Sequence, residues 1–108
     1  MSKETKATGF YRSHAWRTTS TEYRRSVGGL CERCLAKGII TPAEVVHHKI
    51  PLTPENIQDL SISLNWDNLQ ALCRQCHADV HEEMYAEKNK KRYTFVSLFI
   101  LGLFSDLH

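Results

Sequence analysis

The 108-residue chain has no apolar stretch long enough to cross a bilayer as a helix, which takes about 20 residues. Its one strongly apolar run, FVSLFILGLF at 95–104, is about half that length and predicts no transmembrane span. No secretory leader is visible either. Lysines and arginines run through residues 1–30 with no apolar h-region among them, so the expected compartment is the cytoplasm, with no membrane partner. No internal repeat or low-complexity segment is present. The length is too short for separate binding and catalytic lobes, and one compact unit is expected. Strong charge of either sign is also lacking: the net value is +2 at pH 7, too small to define a partner. Its distribution is uneven, with +4 over residues 1–30, −2 over 31–81 and 0 over 82–108, so the basic excess sits in the N-terminal segment.

What the chain does have is a globular balance, 42% hydrophobic and 24% charged residues. A domain this small buries a limited share of its surface and often needs a staple. Four cysteines and six histidines can supply one. Where thiols stay reduced, cysteines in two close pairs read as metal ligands before disulfides.

Along the chain, residues 1–9 are polar and are expected to form a flexible tail, with Gly9 as punctuation. From Phe10 to Val27, apolar positions alternate with Arg12, Arg17, Arg24 and Arg25, predicting one or two short helices with a basic face that end at Gly28 and Gly29. TPAE at 41–44 has the pattern of a brief capped turn, which makes Glu44 a cap and not a catalytic carboxylate. VVHHKI at 45–50 predicts a short strand stopped by Pro51. TPEN at 53–56 starts a second capped turn, a polar loop follows, and Leu69–Leu72 is the expected partner strand. Cys76 to about Lys90 lacks Gly and Pro and is rich in Glu, Ala and Lys, predicting a helix.

Two constellations carry chemistry. Cys31-x-x-Cys34 and Cys73-x-x-Cys76 are knuckles separated by 38 residues, each able to aim two thiolates at one ion. Four thiolates around zinc make a closed tetrahedral site with no position left for substrate, hence a structural one. The second set is His47, His48, Asn68, His77 and His81. Positions 77 and 81 are i,i+4 on the predicted helix, so both imidazoles leave one face and can share an ion. His47 and His48 are neighbours on a strand and point to opposite faces. One can join the helix histidines as a ligand, and the other is free for a different role.

At VVHHKIPL (45–52), NWDNLQALCRQCH (65–77) and HADVH (77–81) the chain resembles the HNH endonuclease family, especially its small phage-encoded members, and its core is similar to colicin nuclease domains. The resemblance covers about residues 10 to 93. It implies an α+β fold: a small zinc-stapled ββα-metal (HNH, or His-Me finger) domain with an N-terminal helical segment, spanning 10–93 and followed by an apolar tail at 94–108. It further implies His48 as general base, Asn68 as its orienting residue, and His47, His77 and His81 as ligands of one catalytic divalent metal. Many members have Asp in place of His47 and lack the histidine at 81. Three imidazoles favour Zn2+, Ni2+, Co2+ or Mn2+ over Mg2+, which prefers oxygen ligands.

The implied activity is metal-dependent hydrolysis of DNA phosphodiesters, by nicking or double-strand cleavage, in the bacterial cytoplasm if phage-encoded and linked to DNA packaging or processing. Phage packaging proteins such as terminase or portal are the implied partners. Phosphate contacts are expected from Arg12, Arg17, Arg24 and Arg25, and from Lys88, Lys90, Lys91 and Arg92 behind the helix. The alternative is a non-catalytic zinc-ribbon-like DNA-binding or assembly module. It accounts for the cysteines and basic segment but leaves the histidines and Asn68 unused. No family motif lies beyond Tyr93, and the apolar run is expected to pack against the domain.

Overall fold

The structure, a computed structural model, describes residues 5–92, with side chains described for 5–89. Expectations for 1–4 and for the apolar tail at 94–108 lie outside the described residues. The elements are α1 (Lys6–Arg12), α2 (His14–Ser26), α3 (Glu32–Ala36), β1 (Val45–His48), α4 (Leu60–Ser63), a 3-10 turn (Trp66–Asn68), β2 (Leu69–Leu72) and α5 (Arg74–Arg92). The chain divides into two compact units, Met1–His77 and Ala78–His108. Among the described residues, the second is the remainder of α5. No helix among the described residues is long and apolar enough to cross a membrane.

The expected tail at 1–9 is cut short, because α1 already begins at Lys6 and contains Gly9. Thr5 is its cap, its hydroxyl accepting the Thr8 N–H at 3.0 Å. Ser13 then separates α1 from α2: its hydroxyl accepts the Trp16 N–H at 3.2 Å and donates to the Phe10 carbonyl at 2.6 Å, so one side chain caps the second helix and closes the first. Gly28 and Gly29 end α2 as expected. Their φ angles of 71° and 73° are left-handed, and their N–H groups close onto the carbonyls of Arg25 and Arg24.

TPAE does not form a helical turn. Its backbone finds partners across the chain: Pro42 bridges Leu30, Cys31 donates to the Thr41 carbonyl at 2.7 Å and Ala43 to the Gly29 carbonyl at 2.8 Å. Glu44 is a cap, but of α5, where its Oε2 accepts the Arg74 N–H at 2.8 Å. The TPEN turn forms as its residues predict, with Thr53 and Asn56 exchanging side-chain to backbone hydrogen bonds of 3.1 and 2.7 Å. The polar loop after it also holds α4, capped by Asp59.

β1 and β2 pair antiparallel, with Val45 opposite Leu72, Val46 opposite Ala71, His47 opposite Gln70 and His48 opposite Leu69. Period-two alternation therefore places Val46, His48, Leu69 and Ala71 on one sheet face and Val45, His47, Gln70 and Leu72 on the other. The first face packs the core, in which Trp16 and Tyr23 from α2 meet Leu69 and Ala71, with Phe10, Val27, Ala43, Val46 and Leu64 around them.

Candidate active site and zinc site

The four cysteines converge. Their Sγ atoms all lie within 4.8 Å of one another; Cys34 is 3.9 Å from Cys73 and 3.6 Å from Cys76. Each pair sits on a tight turn built by its own backbone. In the first, Cys31 is the N-cap of α3, while Lys37 and Ile39 both donate to the Cys34 carbonyl at 2.9 Å. Gly38, at φ 80°, makes that reversal. In the second, the Cys76 N–H points at the Cys73 sulfur at 3.4 Å.

Burial opposes ionisation of Cys31, but the backbone groups of Cys34 and Cys73 and the neighbouring thiols outweigh it and hold that thiol down at about 6. Burial and the surrounding sulfurs, including the charge on Cys31, push Cys76 up to about 12. The thiolate on Cys31 forms readily and discourages a second one on Cys76. Four thiolates can coexist there only around a cation, and a soft, tetrahedral sulfur set fits zinc.

Glu32, inside the first knuckle, reaches away from the sulfurs. Its Oε2 accepts the Tyr23 hydroxyl at 2.6 Å and the Ala71 N–H at 2.7 Å, tying α2, α3 and β2 together. Burial, followed by this carboxylate, raises the Tyr23 pKa far above the usual phenol range. Sequence reasoning overlooked Glu32, although a carboxylate between two thiolate ligands is a signal that it bonds elsewhere.

The histidine pair divides as the strand period requires. On one side of the sheet, His47 faces His77 in the first turn of α5, their ring centroids 5.3 Å apart and their ligand nitrogens within 4.8 Å. His77 follows Cys76 directly, so the knuckle that ends at Cys76 sets where this imidazole starts. His81 stands four residues further along α5 and is exposed.

On the other side, His48 is 5% exposed. Its Nε2 lies 2.8 Å from the Ser63 carbonyl oxygen. A carbonyl can only accept, so Nε2 carries the proton and the neutral ring keeps its lone pair on Nδ1. Burial lowers the His48 pKa, partly offset by the Ser63 carbonyl, which favours the neutral, proton-accepting form. The ring stacks on Trp16 at 4.6 Å and 29°.

Asn68, 6% exposed, does not touch His48 through any described hydrogen bond. It holds the backbone on both sides: Oδ1 accepts the Ile50 N–H at 2.6 Å, and Nδ2 donates to the carbonyls of Ile50 at 3.3 Å and Ile62 at 2.9 Å. Ile50 follows His48 by two residues, and Ile62 precedes Ser63. The amide thus clamps the loop leaving β1 against the helix whose carbonyl binds the imidazole.

Of the basic residues, Arg12, Arg17 and Arg25 are exposed and Arg24 is half-buried. Arg25 pairs with Glu22 at 3.1 Å. Arg24 and Arg25 line an open cavity of about 480 Å³ with Thr21, Gly28 and Gly29. Lys88 is exposed on α5, and Lys90, Lys91 and Arg92 lie in its last turns.

A family model described as HNH endonuclease matches residues 31–83, the stretch that holds both cysteine pairs and every histidine of the set. The probable HNH endonuclease of Lactococcus phage SK1 is 39% identical over 69 residues, covering 64% of this chain and 71% of the relative. The chain belongs to the HNH endonuclease family. Among solved structures, this HNH endonuclease is similar to the crystal structure of the HNH endonuclease of the deep-sea thermophilic bacteriophage GVE2 with manganese ion. That match has a TM-score of 0.58 and 34% identity, and covers 81% of this chain and 85% of that one. Residues 5–30, which contain α1 and α2, precede the region matched by the family model.

Proposed function

We propose that the enzyme hydrolyses DNA phosphodiester bonds with one catalytic divalent cation and a separate structural zinc. The observation that carries this reading is the division of labour at His47 and His48. Adjacent imidazoles sit on opposite sheet faces, one beside His77 and the other with Nε2 tied to the Ser63 carbonyl and Nδ1 left as a base.

His47 and His77, with His81 one turn further along α5, would hold the catalytic cation. Their imidazole nitrogens fit Mn2+, Zn2+, Ni2+ or Co2+ better than Mg2+. Cys31, Cys34, Cys73 and Cys76 would hold the zinc. A catalytic cation, when bound, supplies charge stabilisation at a phosphate oxygen and at the departing 3′ oxygen. His48 Nδ1 takes a proton from the water that attacks phosphorus, leaving 5′ phosphate and 3′ hydroxyl ends. Asn68 holds the backbone around the base, as its three hydrogen bonds to Ile50 and Ile62 suggest.

DNA is held mainly through its phosphates. Arg12, Arg17, Arg24 and Arg25, together with Lys88, Lys90, Lys91 and Arg92, are the contacts we assign. None is placed as a base reader, and sequence preference is expected to be weak. We assign its setting to phage DNA packaging or processing, which nicking assays with and without terminase or portal subunits would test.

The decisive experiment combines metal analysis with plasmid nicking for wild type, His48→Ala and His77→Ala. General-base catalysis contributes about 10²–10⁴-fold, so His48→Ala should bind Mn2+ normally and lose activity on that scale. His77→Ala should instead weaken Mn2+ binding. Undiminished nicking by His48→Ala rules out the base assignment, and an unchanged Mn2+ titration for His77→Ala rules out the ligand assignment.

A further inference from the structure

The aromatic rings that contact His48 come from a part of the chain outside the matched family region. Trp16 on α2 stacks on the imidazole at 4.6 Å and 29°. Phe10 and Tyr11 on α1 present their rings at 5.9 and 6.2 Å, inclined at 60° and 65°. These aromatics also contact each other, Phe10 to Trp16 at 5.4 Å and Tyr11 to Trp16 at 5.7 Å. Trp16 is itself 8% exposed, and the Ser13 hydroxyl bonds its N–H to the end of α1.

The hydrogen bond to Ser63 is not enough to aim a base. It fixes one atom of the ring, Nε2, whereas rotation about the bond joining the ring to Cβ is soft, with no sharp staggered wells. The ring can pivot about the Nε2 anchor and carry Nδ1 with it. A broad planar partner lying nearly parallel to the imidazole removes that freedom, because tilting the ring sacrifices the stacked contact. The indole of Trp16 is that partner, and Phe10 and Tyr11 close the edges.

We infer that Trp16 is a positioning residue for hydrolysis: it fixes the plane of the His48 imidazole and so the direction of the Nδ1 lone pair. The inference rests on the reading of His48 as the base. It makes the N-terminal helices part of the catalytic apparatus, in a role separate from any phosphate contact made by their arginines.

Reacting groups misplaced by about 1 Å can cost on the order of 10²-fold in rate. Trp16→Met, which keeps apolar bulk but has no plane, should therefore lower single-turnover kcat by about 10- to 100-fold. The KM for DNA and the Mn2+ concentration dependence should stay at wild-type values, and Trp16→Phe should recover most of the rate. The discriminating measurement is a double-mutant cycle with His48→Ala in the full-length, zinc-loaded protein supplied with Mn2+. If Trp16 acts through His48, Trp16→Met costs nothing further once His48 is gone. Equal losses in both backgrounds, or a loss that appears in KM alone, overturn the inference while leaving His48 as the base. Full activity of His48→Ala overturns the base assignment itself, and the positioning role falls with it.

Tyr11 is 45% exposed, so Tyr11→Leu serves as a second variant if Trp16→Met fails to retain zinc. It should show a smaller kcat loss, again abolished in the His48→Ala background. Persistence of its loss in that background counts against the aromatic cluster in the same way.

Discussion

Replacing Asn68 tests whether one buried amide holds the loop that leaves β1. Asn68→Ala deletes three hydrogen bonds, of 2.6, 2.9 and 3.3 Å, and leaves the Ile50 N–H without the acceptor it has. At about 0.5–1.5 kcal/mol net for each bond, with the longest at the low end, the loss should be about 2–4 kcal/mol. For a domain of this size that corresponds to a Tm lower by roughly 10–30 °C. Asn68→Asp is the sharper variant, since it keeps the shape and the acceptor for Ile50 but places an anionic oxygen against the Ile50 and Ile62 carbonyls. It should be no more stable than the alanine variant at neutral pH. Urea unfolding with zinc content monitored reads the stability, and single-turnover nicking below the transition reads the effect on His48. An Asn68→Asp protein as stable and as active as wild type would refute the clamp.

Three other outcomes follow from the geometry. Stripping zinc with a chelator should lower Tm by more than about 10 °C, since structural zinc contributes directly to folding; an unchanged calorimetric transition for zinc-free protein would exclude a structural ion. Glu32→Ala leaves both the Tyr23 hydroxyl and the Ala71 N–H without their acceptor and should cost about 2–4 kcal/mol in urea unfolding. Glu32→Gln retains a neutral acceptor and should lose less, and an alanine variant matching wild type would show the link to be idle. Arg24→Ala should weaken binding to catalytically inactive protein without regard to DNA sequence and flatten the slope of log affinity against log salt by about 1. An unaltered slope in fluorescence anisotropy would remove Arg24 from the phosphate contacts.

Features that depend on nearby residues were legible in the sequence. The knuckles, the VVHH strand, the Thr53–Asn56 turn and the Gly-free helix α5 each carry their own hydrogen-bond partners or periodicity within a few positions. The opposite facing of His47 and His48 followed from strand geometry alone. Features that depend on distant partners were not legible. TPAE has a helical cap pattern, yet the backbone of residues 29–31 competes for the same groups and wins, and Glu44 caps a helix that begins thirty residues later. Gly9 reads as a breaker, but Thr5 caps a turn that tolerates it. Nothing local in the sequence ties Trp16 to His48, Ser63 to the imidazole, or Glu32 to Ala71. In the same way, nothing local ties the Asn68 amide to the Ile50 and Ile62 backbone groups that it bonds.

The bond from Glu32 to the Ala71 N–H has a consequence for the chain before it acquires metal. A sheet of two strands has an outer edge on each, and an unpaired N–H row on such an edge is a template for pairing with another molecule. Glu32 occupies one of those donors on β2, and it does so from between Cys31 and Cys34. Under the proposed zinc assignment, metal capture and protection of that edge are coupled through adjacent residues. A chain starved of zinc should free α3 and uncover β2 in the same step, so the metal-free protein is expected to aggregate where the zinc-loaded protein folds alone.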